Sequence, residues 1–162
     1  MNLEYAQKWA ELRGSDTEAF ADLYAGDLDF TLEHTMVDDH MKDTIYTRDQ
    51  IVDRLGGFAN DDAGNGLGVH TFTVTKYTGD ERWGMVEWDY TVEGIASFRG
   101  IDNPDGKTLS TNGSTFLKFD ADGKIVLDST VMNDCPVFEA LGLPIMRPHY
   151  WDADFDPASL MA

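Results

Sequence analysis

Two runs of alternating side chains, 107–119 and 124–133, stand back to back, and Asp-Ala-Asp-Gly separates them. Small polar residues closed by a glycine between two β-type runs mark a tight hairpin. The turn before it has the same character: "FRGIDNPDGK" (98–107) leaves one run and opens the next through Asn-Pro-Asp-Gly. Residues 69–77, 82–98, 107–119 and 124–133 therefore read as four successive antiparallel strands. The second spans about 17 residues, against a usual strand length of ~5–6. A strand that long cannot stay flat; it twists and bends, and "EGIA" around Gly94 is the place for a bulge or kink.

The elements before this block are mostly helical. Leu3, Ala6, Trp9 and Ala10 recur at helical spacing over 3–13, with Gly14 as a stop. "SDTEAFADLYAGD" reads as a second helix with Ser15 or Asp16 as its cap and Gly26 as its end. "LDFTLEHTMV" alternates as a strand that sets Phe30, Leu32, His34 and Met36 on one face. Residues 38–47 read as a connection, and 47–60 as a short helix capped by Thr47. "CPVFEALGLP" reads as a terminal helical turn. Helices gathered ahead of consecutive strands predict an α+β fold, with the helices on the concave face of a curved sheet. The result is a conical barrel around a deep pocket, spanning 1–145, with 146–162 as an irregular arm lying over the body or a partner subunit.

The 162 residues carry 30 acidic and 12 basic side chains, a formal charge of −18. Phosphate binding needs clustered Lys and Arg, so neither nucleic acid nor an anionic membrane is an expected partner. One cysteine, Cys135, permits no intrachain disulfide framework and no Cys-based zinc site. With no apolar leader run at the N-terminus and no stretch of transmembrane length, the expected compartment is the cytoplasm.

"FRGIDNPDGK", "DGKIV" (122–126) and "NDCPVFEALGLP" (133–144), together with the element order, resemble the SnoaL-like polyketide cyclases of the nuclear transport factor two-like superfamily. The resemblance implies a conical α+β barrel that is usually dimeric. It also implies a deep apolar pocket and chemistry that needs no metal or organic cofactor. A buried carboxylate, sometimes with a histidine, moves a proton beside a carbonyl in such proteins, because burial raises a carboxyl pKa into the useful range. Counted from "DGKIV", Asn133 stands where the cyclases commonly carry their aspartate. The same count sets Thr130 and Asp89 on the two aspartates of limonene epoxide hydrolase-like members, and Glu87 on their arginine.

The candidate catalytic residues are Asp89 or Asp128 as base, His34 as proton partner, and Asn133 with Thr130 as donors to a developing oxyanion. Strand 85–93 leaves two arrangements open. Val86, Trp88, Tyr90 and Val92 line the interior in one; in the other they pack against a partner while Asp89 points inward. Tyr5, Trp9, Phe30, Tyr46 and Trp88, with Tyr150 and Trp151, are candidates to line or cover the pocket, and His70 is a candidate at its rim. "HTMVDDH" (34–40) collects two His and two Asp, but its spacing matches no standard metal motif, so no metal is expected. The expected function is a cofactor-independent cyclase, isomerase or lyase, retro-aldol cleavage included, acting on a hydrophobic aromatic or polycyclic molecule as a homodimer or higher homo-oligomer. The alternative is a non-catalytic binding or protein-interaction module.

Overall fold

In a computed structural model, residues 1–36, 39–145, 153, 154, 156 and 158 are described, without the side chains of 27, 29, 31–36 and 39–43. Helix α1 (Leu3–Ser15) is capped by Asn2 and the five-residue α2 (Thr17–Ala21) by Asp16. Strands β1 (Tyr24–Met36) and β2 (Asp39–Ile45) follow, then α3 (Arg48–Leu55), capped by Thr47, and a 3-10 turn, Gly56–Phe58. The rest is mainly sheet: β3 (Leu67–Gly79), β4 (Trp83–Ile95), the short β5 (Ser97–Phe98) and β6 (Ile101–Asp102), β7 (Leu109–Phe119) and β8 (Ile125–Asn133), closed by α4 (Cys135–Ala140). Six strands form one mixed sheet in the order β2-β1-β8-β7-β4-β3, parallel only where β1 meets β8. The expected α+β cone is thus present, with α1 laid against β3. No helix among the described residues is long and apolar enough to cross a membrane.

Three local readings change. Residues 39–45 are not a connection; they form an edge strand that pairs antiparallel with β1, Phe30 opposite Ile45. An edge strand rich in charge lacks the apolar alternation that announces a strand, and the same charge discourages edge-to-edge association. Helix α2 stops at Ala21 rather than Gly26, because Tyr24 already sits opposite Ile125 of β8. Gly26 instead falls in a register shift of β1 between Tyr24 and Asp29. Gly14 does not stop α1. It lies one residue inside the helix, where an added Cβ would come within 2.5 Å of the His70 carbonyl oxygen. Helix and strand backbones touch there because glycine has no side chain to keep them apart.

The expected kink in the long second strand is real and ends it. Gly94 adopts φ +70°, and a Cβ there would stand 2.1 Å from the Ala63 carbonyl oxygen. Beyond it, β5 and β6 form a hairpin whose two central residues, Arg99 (φ 50°) and Gly100 (φ 79°), are both left-handed, as a primed turn demands. Asn103 then fastens the return: its Nδ2 donates to the carbonyls of Ile95 (3.0 Å) and Lys107 (2.8 Å), and its Oδ1 accepts from the Lys107 amide.

Replacing Gly94 by alanine combines left-handed strain with a backbone clash, so it should cost about 3 kcal/mol in urea unfolding. Gly100→Ala, with φ +79° but open space around it, should cost only about 1 kcal/mol. Equal losses would show that the contact with Ala63 carries no weight.

Candidate active site

Alternation along β4, β7 and β8 decides which side chains enter the cone. Val86, Trp88, Tyr90 and Val92 are buried, as are Thr115 and Leu117, and Asp128, Thr130 and Met132. The aromatic face of β4 is therefore the inner one. Asp128 stands at the centre with no exposed surface. Its Oδ2 accepts from the Tyr24 hydroxyl at 2.6 Å, and Tyr24 accepts from the Trp9 indole N–H at 3.2 Å. Its Oδ1 accepts from the Thr130 hydroxyl at 2.7 Å. Thr130 in turn lies 2.7 Å from Thr115, which accepts from the Trp88 indole N–H at 3.0 Å.

The hydroxyl directions follow from the ends of these two chains. An indole N–H can only donate. Each hydroxyl therefore passes its proton toward the carboxylate, and Thr115 donates to Thr130. Burial pushes the Asp128 carboxyl up to about 6, and the nearby Arg13 charge with the Tyr24 and Thr130 hydroxyls holds it from going further. It is a carboxylate at neutral pH. Burial likewise raises the Tyr24 phenol well above its ordinary value, and the Asp128 charge adds to this.

Arg13, in the last turn of α1, is 3% exposed. Its guanidinium carbon lies 4.8 Å from the ring centre of Phe72, 5.3 Å from Trp9, 5.7 Å from Trp88 and 5.9 Å from Phe58. Cation–π attraction offsets part of the cost of burying the charge. Burial lowers its pKa, while Asp128, Tyr24 and Tyr90 raise it; an arginine stays charged under such a balance.

A cavity of about 180 Å³ is lined by Phe58, His70, Tyr90, Ile95, Phe98 and Met132 together with Ser97 and Arg99. Its polar residues include a hydrogen-bonded pair. His70 Nδ1 is 2.7 Å from the Tyr90 hydroxyl, and His70 Nε2 is 3.1 Å from the Leu67 carbonyl oxygen. A carbonyl only accepts, so Nε2 carries the proton, and Nδ1 of the neutral ring accepts from Tyr90. Burial lowers the His70 pKa against the opposing effect of the Leu67 bond, and burial raises that of Tyr90. Beside them the fully buried Asp134 pairs with Arg99, Nε to Oδ2 at 2.8 Å.

Of the residues singled out in the sequence, Trp9, Phe30, Trp88, Asp128 and Thr130 are brought together in the interior, and His70 lines the cavity. Asp89 and Asn133 are not part of this group. Both lie on the outer face of the sheet, where they share a depression with Glu87 and Asn112. Asp128, Thr130 and Met132 alternate inward along β8, so Asp134 rather than Asn133 continues the inner row. Tyr46 is 59% exposed. Tyr5 packs edge-on against Phe119, with ring centres 5.6 Å apart, away from the cavity. His34 is held in β1 between Met41 and Met132, and its side chain lies outside the described residues, as do Tyr150 and Trp151. Sequence reasoning missed Arg13. Its signal was position: it falls three residues after Ala10 and four after Trp9, on the apolar stripe of α1. Tyr24 and Thr115 had no signal, because each is defined only by partners distant in the chain.

The backbone matches those of solved proteins in fold. The chain has the nuclear transport factor two-like cone fold. It superimposes on a hypothetical protein with a ketosteroid isomerase-like fold from Catenulispora acidiphila, solved with trimethylamine, at 20% identity and a TM-score of 0.60, covering 90% of this chain and 97% of that one. A phenazine biosynthesis-related protein from Pseudomonas aeruginosa matches at 18% identity and a TM-score of 0.61, covering 89% and 92%. A putative polyketide cyclase from Xanthomonas campestris pv. campestris matches at 15% identity and a TM-score of 0.62, covering 86% and 95%. No protein-family model matches the sequence, and no curated protein does.

Asp128→Asn tests the inner network. An amide presents two N–H groups where the carboxylate only accepts, so one hydroxyl loses its acceptor. The expected loss at pH 7 is about 2 kcal/mol. The folded-state carboxyl titrates near 6, above its ordinary 3.8, so the folded state binds the extra proton between these values. Its stabilising contribution is full below pH ~4 and fades as pH rises through ~6. The gap between wild type and variant should therefore shrink by up to about 3 kcal/mol over that window, read from urea midpoints.

Proposed function

We propose that the protein is a cofactor-independent enzyme that transfers a proton on a carbon beside a carbonyl, with the His70–Tyr90 pair as its acid–base group. The observation that carries this reading is the pair itself. It is a hydrogen-bonded imidazole and phenol in the wall of a mostly apolar cavity. A neutral histidine is the side chain suited to proton transfer near neutral pH. As the Tyr90 oxygen takes the substrate proton, its own proton passes to His70 Nδ1. The imidazolium so formed keeps its Nε2–H on the Leu67 carbonyl. Reversal of the same two transfers at another atom completes an isomerisation or a cyclisation, and no proton is gained or lost overall. The structural likeness to a putative polyketide cyclase and to a ketosteroid isomerase-like fold supports chemistry of this class.

The cavity limits the substrate. A space of about 180 Å³ suits a single ring, since a cavity of roughly 150 Å³ accommodates benzene. A polycyclic substrate would have to extend out of the mouth. Asp128 is the counter-charge of the interior rather than the base, because both its oxygens are occupied and it does not line the cavity. That same closure favours a second reading, a non-catalytic binder of small ring compounds.

Exchange of the α-protons of cyclohexanone and acetophenone in D2O, followed by proton NMR, separates the two without knowledge of the natural substrate. The enzyme should accelerate exchange, His70→Gln should lose at least tenfold, and the rate should fall as pH drops through the lowered His70 pKa. Asp89→Asn, on the outer face, should leave the rate unchanged. Exchange that is equally fast with His70→Gln, or absent from the wild type, would sink the acid–base reading.

A further inference from the structure

The guanidinium of Arg13 is a buried charged group whose donors the fold leaves partly bare. Its Nε and Nη1 have no hydrogen-bond partner, and donors of a buried charged group left bare are costly. The four surrounding rings compensate the charge through their faces but offer no acceptor in the guanidinium plane. Asp128 acts on Arg13 through space only; its oxygens are engaged by Tyr24 and Thr130.

Two rings connect this guanidinium to the cavity. Phe58 lies 5.9 Å from Arg13 and also lines the cavity, 4.8 Å from the His70 ring. Phe72 lies 4.8 Å from Arg13 and 5.0 Å from Tyr90, another lining residue. Phe58 closes a 3-10 turn whose Gly56 and Gly57 have open space around them. Arg13 does not itself line the cavity; a polar group on a ring seated there would reach the bare N–H donors by displacing the Phe58 ring that lies between.

We propose that Arg13 is a ligand-binding residue that selects ring compounds bearing a carboxylate, holding its oxygens through Nε and Nη1. The inference deepens the acid–base reading by naming the substrate class, an aromatic or alicyclic acid, and it rests on the same cavity. A carboxylate supplies acceptors on both oxygens and a charge to match the guanidinium, a combination that strengthens hydrogen bonds. A purely structural Arg13 would not distinguish an acid from its neutral amide.

The test is titration of the intact protein at pH 7 with benzoate and with benzamide, read by tryptophan fluorescence, since Trp9 and Trp88 flank the guanidinium. The Arg13 Nε–H resonance of 15N-labelled protein gives a second reading. Benzoate should bind at least tenfold more tightly than benzamide and should move the Nε–H resonance, whereas benzamide should not. Arg13→Met, of similar length and apolar, should bring the ratio close to one. If that variant fails to fold, the wild-type resonance decides alone. Benzoate that does not bind, binds no better than benzamide, or leaves the Nε–H resonance in place overturns the inference. Equal binding of the two probes would remove the carboxylate preference and leave His70-dependent α-proton exchange standing. A tenfold preference without that exchange would do the reverse.

Discussion

One buried carboxylate organises the interior. Asp128 is the end point of two hydrogen-bond chains that start from indole N–H groups, Trp9 on one side and Trp88 on the other. Tyr24, Asp128 with Thr130, Thr115 and Trp88 belong to β1, β8, β7 and β4, which are consecutive in the sheet. The network therefore crosses four strands at one level and brings in α1 through Trp9. Because both outer ends can only donate, the polarity of every hydroxyl in between is set. Buried polar groups of this kind are tolerated when each has its partner, and they then fix a single arrangement of the core.

The proposed acid–base pair, His70 and Tyr90, stands outside this network. Among the described residues, large aromatic side chains and Arg13 surround Asp128, and a cavity opens beside His70 and Tyr90. There the helix–strand contact at Gly14 brings the end of α1 down onto the backbone of His70. The imidazole of β3 and the guanidinium of α1 both come within 6 Å of the Phe58 ring, at 4.8 Å and 5.9 Å. The primed turn at Arg99–Gly100 brings Arg99 back to Asp134 at the end of β8. The fold thus builds a polar rim and a charged floor from residues that are distant in sequence.

Much of the architecture was legible because it is written in local periodicities. The hairpin at Asp-Ala-Asp-Gly, the caps at Asp16 and Thr47, and the bend at Gly94 each depend on residues within a few positions of one another. Strand β2 was not legible, since a charged edge strand carries no apolar alternation. Asp128, Thr130, Trp9 and Trp88 could be picked out by type and face. Asp89 and Asn133 were misplaced because family counting fixes a position along a strand and the pleat fixes its side; here the two disagreed. Arg13 could have been found from its place on an apolar helical stripe. Tyr24 and Thr115 could not, because only the tertiary pairing of β1 with β8 and of β7 with β8 defines them.

The parallel union of β1 with β8 has a consequence for how the chain matures. Phe30 lies opposite Asp128 and Leu32 opposite Thr130, so the central ladder joins segments separated by nearly a hundred residues. Contacts of such span are entropically slow to close. During synthesis, α1 and β1 emerge long before the strand that completes them. Trp9 and Arg13 can meet Phe20, Phe58, Phe72 and Trp88 first, and the hydrogen-bond network closes only when β8 brings Asp128 and Thr130 into place.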